Sequence, residues 1–184
     1  MDERSLRMSE ESLELLGIKI TGKPESIQLA HYYLTLGAFT QAWATLEYIF
    51  DLCVATIYHR APGGKFCGRR QPMALTRKLD YFRDAHRKID ELKKLAKTAE
   101  HIATFIEKVG GVRHLIIHSV QVRAAATYVY QARRAVPHTN KYMEARGNID
   151  YRQIAKLTLE IAKRLQPMTA YAQLLIDTFP NRQK

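Results

Sequence analysis

Residues 113–118 read Arg-His-Leu-Ile-Ile-His, a cation and two imidazoles within six positions. On a helix advancing about 100° per residue, His114 and His118 stand one turn apart on one face, with Arg113 beside them. A guanidinium that never loses its charge, next to a base that titrates near neutrality, is the minimal equipment for phosphodiester cleavage. The spacing alone is common. Sixteen Arg and seven His in 184 residues give roughly 0.6 occurrences of Arg-x4-His by chance. Arg133 to His138 repeats it, but with Pro137 inside, which disfavours a helix there. Helical context separates the two.

The chain supplies that context through apolar periodicity. Leu36, Phe39, Trp43, Leu46, Phe50, Cys53 and Ile57 recur by alternating threes and fours. They predict a long helix from Ser26 to the breaker Arg60-Ala61-Pro62-Gly63-Gly64. Met73 to about His86 predicts a shorter helix with Leu75, Leu79 and Phe82 inward. A third runs from about Asp90, with Leu92, Leu95, Ala99, Ile102, Ile106, Val109, Arg113 and Ile116 in the same rhythm. Arg113 thus takes a place that the pattern reserves for an apolar side chain. A charge there is costly unless paired, so a salt bridge, an escape to the helix edge or a functional role would each account for it. Gly110-Gly111 lowers helix propensity by about 1 kcal/mol per Gly relative to Ala and predicts a kink or a close approach of another backbone.

Beyond Ser119 the helical rhythm stops. Residues 124–131 and 141–145 are short β-prone pieces around Pro137, and predict a hairpin or an extended insertion. Asp150 is a candidate N-cap for a last helix with Ile154, Leu157, Ile161, Leu165, Met168 and Ala172 inward. Pro167 predicts a kink in it, and Pro180 follows its end. Residues 1–25 form an N-terminal appendage with a short helix near Ser9–Leu16, broken by Gly17, Gly22 and Pro24. The expected fold class is all-α. Residues 26–184 make an up-down bundle of four main helices, with the insertion before the last.

Net charge is +11 at neutral pH, which points to a polyanionic partner, nucleic acid first and an anionic membrane surface next. Solubility alone also accounts for such a charge. The excess is local. Residues 1–16 carry five acidic and two basic groups, whereas 113–146 carry six basic groups against Glu144 alone. Residues 60–70 add Arg60, Lys65, Arg69 and Arg70. Cys53 and Cys67 are too few for a disulfide framework or a four-ligand zinc site, and Cys53 on the apolar seam reads as a buried thiol. The absence of a signal or membrane-spanning run leads to an expected cytoplasmic location with no membrane partner.

With these elements in order, the chain resembles the HEPN superfamily, helical bundles of which many members are ribonucleases that need no metal. The resemblance rests on Arg113-His114-Leu115-Ile116-Ile117-His118 near the end of the third main helix. A second element is Trp43-Ala44-Thr45-Leu46-Glu47-Tyr48-Ile49-Phe50, similar to an aromatic/small-x-Leu-Glu segment of that superfamily's first long helix. It covers roughly residues 26–179. It implies a homodimer with two copies of the motif facing one cleft, no cofactor, and a toxin or defence effector controlled by a cognate antitoxin or other regulatory protein. His114 departs from the pattern, because active members most often hold Asn there.

On that reading His118 is the base acting on the ribose 2′-hydroxyl, and Arg113 stabilises charge in the transition state. Glu47 would hold the guanidinium, and His114 would support the site. Arg123, Arg133, Arg134 and Arg146, interleaved with Tyr128 and Tyr130, are the RNA-binding candidates, by phosphate contact and base stacking. Packing within a hairpin is the other account of those tyrosines. A histidine at a helix end is also favoured by the macrodipole, and His114 with His118 has the spacing of two metal ligands, although no third ligand lies near in sequence. The alternative function is a catalytically inactive HEPN-like dimerisation module that binds nucleic acid or a protein partner.

Overall fold

The computed structural model describes residues 24–117, 120–124, 127–135, 142–145 and 151–180; at 24–29, in the strands and at 151 it describes the backbone alone. The chain is predominantly helical. Its elements are α1 (Pro24–Arg60), α2 (Leu75–Lys88), α3 (Asp90–Lys93), α4 (Ala96–Ile117), β1 (Val120–Ala124), β2 (Thr127–Ala135), β3 (Tyr142–Ala145) and α5 (Tyr151–Thr178). The expected helix at Ser9–Leu16 lies outside the described residues. No helix among them is long and apolar enough to cross a membrane.

In α1 the predicted seam holds. Phe39, Trp43, Leu46, Phe50, Cys53 and Ile57 are all buried, and only Leu36 is half-exposed. The helix starts at Pro24, the residue that the sequence pattern reads as a breaker of the preceding segment. Proline suits a first helical position, where its missing N–H would have no partner anyway and its fixed φ is already helical. The other end stops as the breaker requires: Gly63 adopts φ 71°, a conformation that costs glycine little. Gly64 N–H closes the turn on the Ala61 carbonyl at 3.0 Å.

Two boundaries differ from the sequence pattern. Helix α2 begins at Leu75, because Ala74 is extended at φ −70°, ψ 140°. The Ala74 carbonyl accepts the Lys78 N–H at 2.9 Å, and Met73 stands outside the helix, 76% exposed. The single helix expected from Asp90 is divided into α3 and α4. Leu95 N–H bonds the Leu92 carbonyl at 2.8 Å, three residues back, before Ala99 N–H resumes the four-residue bond to Leu95. A three-residue turn is tighter than an α-turn and ends one helix before the next begins. Helix α5 runs through Pro167. Pro167 and Lys163 are both exposed, so the carbonyl that loses its helical donor can turn to water.

Two compact units divide the chain: residues up to 42 with 112–160, and residues 43–111 with 161–184. Helices α1, α4 and α5 each contribute to both. In the first unit Tyr32, Phe39, Ile116, Ile154 and Leu157 are buried. Its strands form an antiparallel sheet in the order β1-β2-β3, with Val122 opposite Val129 and Arg134 opposite Met143.

The second unit is organised around α2. Phe82 meets Phe50 edge-on at 5.2 Å between ring centroids, and Tyr171 at 6.2 Å. His86, 1% exposed, lies between Phe82 and Tyr171. Its Nδ1 is 2.7 Å from the Phe82 carbonyl and its Nε2 is 2.5 Å from the Tyr171 hydroxyl. A carbonyl can only accept, so Nδ1 carries the proton, and in the neutral ring Nε2 accepts from the tyrosine. The tyrosine hydroxyl could also accept from a charged ring, but burial lowers the His86 pKa and so favours the neutral form at pH 7. Buried Lys78 of α2 bonds Asp51 of α1 at 2.6 Å. Arg83 reaches from α2 to Glu100 and Glu107 of α4 at 3.0 and 2.8 Å. The two acids are seven residues, or two turns, apart and so share a face. Both acids are largely exposed, so this network adds at most about 1 kcal/mol per pair.

The state of His86 has a consequence for stability. Burial lowers its pKa from the ordinary 6.5, and the bond to Phe82 only partly opposes this. The unfolded chain therefore takes up the proton first as pH falls. Stability from this group is complete above about pH 6.5 and declines as pH drops towards the folded value. The denaturant midpoint should be level near pH 7.5 and fall between pH 6.5 and 5, and His86→Gln should lose most of that slope. Tyr171→Phe leaves Nε2 without a donor and should cost about 1–3 kcal/mol at pH 7.5, read from chemical denaturation.

Candidate functional site

Arg113 sits one turn before the end of α4. It follows buried Val109 and Gly110 by four and three residues and precedes buried Ile116 by three. It therefore lies on the apolar stripe, as the spacing predicts. The side chain is half-buried, and its Nε is fully buried with no hydrogen-bond partner among the described residues. Leaving an ionised donor dry and unpaired is costly. An anionic oxygen is the acceptor that such an N–H fits best. Its place near the helix C-terminus, where the dipole favours cations, offsets part of the cost.

The other candidates divide by position. His114 is exposed in the last turn of α4. His118 and Arg146 lie outside the described residues. Glu47 is half-buried on α1, in the unit of residues 43–111, whereas Arg113 belongs to the other unit. Their expected pairing joins two units and stays an expectation. Among the described residues the ion pairs involve other groups: Lys78–Asp51, the Arg83 pairs, and short-range pairs of Asp84 and Asp90.

The strands fix the register of the RNA-binding candidates. Arg123 of β1 is opposite Tyr128 of β2, and Tyr130 is opposite Gln121. Arg133 is opposite Glu144 of β3, the acidic residue in the otherwise basic stretch 113–146. In this register Arg123 and Tyr128 are cross-strand partners along the backbone, as are Arg133 and Glu144. Arg134 faces Met143 across the same ladder. Among the described residues no three His, Cys, Asp or Glu side chains are grouped to hold a metal ion.

The apolar pattern gave no indication of a cleft in the second unit. His101, Ile102 and Phe105 of α4 and Arg164, Met168 and Tyr171 of α5 are among the residues lining a cavity of about 190 Å³. The Arg164 guanidinium lies over the Phe105 ring, 4.2 Å from its centroid. The signal in the sequence was Phe105 itself, a large apolar side chain off the α4 seam. Cys53, buried as expected, is inert as a nucleophile because burial pushes its thiol pKa up to about 12.

Comparisons with family models, curated proteins and solved structures give no match for this chain.

The two glycines before Arg113 play different parts. A Cβ on buried Gly110 would lie 2.6 Å from the Leu75 Cδ2 atom and 3.4 Å from the Trp43 ring. The close approach expected at this pair is therefore by side chains, with α4 continuous through it. A Cβ on exposed Gly111 meets nothing within 4 Å. Gly111→Ala should stabilise the protein by about 0.5–1 kcal/mol through helix propensity and a less disordered unfolded chain. Gly110→Ala should gain less or lose stability, since Leu75 must move. Denaturation midpoints of the two variants check the difference.

Proposed function

We propose that this chain is a metal-independent endoribonuclease of HEPN type, working as a homodimer with Arg113 and His118 in its site. The observation that carries the reading is the Arg113 guanidinium on the buried stripe of α4, its Nε dry and without a partner among the described residues. The net charge of +11 and the five-charge excess in 113–146 suit an RNA substrate. His118, four residues beyond His114 in sequence, would take the proton of the ribose 2′-hydroxyl as that oxygen attacks the adjacent phosphorus. The 5′-oxygen of the next nucleotide leaves, and a 2′,3′-cyclic phosphate remains. Arg113 would stabilise the charge growing on the non-bridging oxygens. Glu47 would orient the guanidinium, and a second copy would supply the facing motif across a two-fold interface. A toxin or defence effector kept in check by a cognate protein is the setting that the HEPN resemblance suggests.

The exposed imidazole of His114, at a position where active HEPN members most often hold Asn, favours the second reading: an inactive dimerisation module that binds RNA or protein without cutting.

Incubation with single-stranded RNA in EDTA should yield fragments ending in cyclic phosphate, while matched DNA survives for lack of the nucleophile. His118→Ala should abolish cutting and leave the helical signal intact. Arg113→Ala should slow it by about 10²-fold or more. His114→Asn should keep or raise activity; its loss would instead indicate two histidines acting on a metal. Light scattering should give twice the chain mass at micromolar concentration. Tight RNA binding with no cleavage selects the module reading.

A further inference from the structure

From Leu52 to Leu79 the sequence contains no acid and six bases, Arg60, Lys65, Arg69, Arg70, Arg77 and Lys78. Lys78 is buried against Asp51. The other five make no ion pair or side-chain hydrogen bond among the described residues. They lie at the end of α1, in the loop 61–74 and on the first turn of α2, and Lys65, Arg69, Arg70 and Arg77 are exposed. Elsewhere in this unit Arg83, Arg87, Lys88 and Lys93 have acidic partners. Here the like charges are left together.

The loop that carries them is braced. Tyr81 donates its hydroxyl to the Gly64 carbonyl at 2.7 Å, and Tyr58 donates to the Gly68 carbonyl at 2.9 Å. Phe66, 37% exposed, stacks on Tyr81 at 5.1 Å between centroids, and Lys88 Nζ lies 4.5 Å from the centroid of the Phe66 ring. His59 and Gln71 are joined by a 3.0 Å hydrogen bond. These contacts hold the loop backbone against α1 and α2, so little further ordering is needed when a ligand binds. Between the loop and α2 opens a cavity of about 570 Å³, lined by Phe66, Arg70, Met73, Arg77, Asp80 and Asp84 among others. Asp84 is already bonded to Lys88 and lies near Arg87, at 2.9 and 3.6 Å. Asp80 has no cationic partner among the described residues.

We propose that the loop 61–74 and the first turn of α2 form a binding surface for single-stranded RNA, in which Arg69, Arg70 and Arg77 hold backbone phosphates at the mouth of this cavity. Four of the five unpaired cations are arginines, whose planar forks match phosphate oxygens two at a time. The cavity is within the usual size range for a small-ligand site, enough for a nucleotide unit, and it is concave where a membrane-binding surface would project. Exposed Met73 adds an apolar contact for a base at its rim. Among the described residues Asp80 is the one acid lining the same space without a cationic partner, so it opposes phosphate binding and limits its strength. The surface belongs to the unit of residues 43–111 and 161–184, and it goes beyond the cleavage reading without needing it.

The test is fluorescence anisotropy of the full chain with a labelled 2′-O-methyl RNA oligonucleotide, which has no free 2′-hydroxyl to attack, in EDTA across a range of salt. The combined variant Arg69→Ser, Arg70→Ser, Arg77→Ser should bind about tenfold or more weakly and lower the salt slope by about 2, at roughly 0.7 for each phosphate that a cation no longer neutralises on a single strand. Asp80→Asn should bind several-fold more tightly, a gain that misfolding cannot imitate. The triple variant should lose the same factor in affinity when Arg113 is also replaced by Ala, which separates the inference from the fate of the nuclease reading. Unchanged affinity in both the triple variant and Asp80→Asn would overturn it. So would binding that these variants alter only with anionic phospholipid vesicles or an acidic peptide.

Discussion

A neutral histidine buried among aromatic rings ties the second unit together. His86 can sit at the centre of α2's packed face only because the Phe82 carbonyl takes its one proton and the Tyr171 hydroxyl fills its lone pair. Either bond missing would leave a polar atom in an apolar core, at a cost comparable to a good part of a domain's stability. The same geometry fixes the rotation of α2 about its axis. With His86 turned to Tyr171, Phe82 one turn earlier meets Phe50, and Lys78 one further turn back reaches Asp51. Three positions spaced by four thus meet α5 and α1 through a ring contact, a hydrogen bond and an ion pair, and directional contacts select one packing where apolar area alone would accept several.

Charge is treated in two ways along this chain. Lys78 and Arg83 are matched to acids on neighbouring helices, and their role is to join elements. Arg113 and the cations of the loop 61–74 are not matched among the described residues. Arg113 holds a dry N–H on an apolar stripe, a single costly group suited to one anionic oxygen. The loop and the start of α2 instead present Lys65, Arg69, Arg70 and Arg77, all exposed, beside a braced backbone, an arrangement suited to a polyanion. In a protein of net charge +11 both are consistent with phosphates as ligands, one set for close contact at a single group and the other for holding a strand.

The helix seams were legible because burial follows a local rule. Six of seven predicted positions in α1 and all but Leu165 in the α5 set are buried, since each helix must turn one stripe of apolar residues away from water. The breaker at residues 60–64 was equally local, a matter of Pro and Gly dihedrals. The α3–α4 division was not, because the apolar rhythm runs on past it and the three-residue bond at Leu95 leaves no mark in residue type. Nor did Gly110 and Gly111 look different until Leu75 and Trp43 were seen to pack against the first alone.

By itself, then, the sequence determined where the main helices lie, which stripe of each is buried, and that Arg113 stands on such a stripe. Those properties depend on periodicity within a few turns. Only the tertiary structure decided that His86 is neutral, that Lys78 has an acid and that the loop arginines have none among the described residues. Each of these depends on what lies across a helix interface, often far along the chain: Tyr171 is 85 residues from His86 and Asp51 is 27 from Lys78. Charge state and pairing are set by distance in space, through burial and hydrogen bonding, and residue spacing carries no record of that distance.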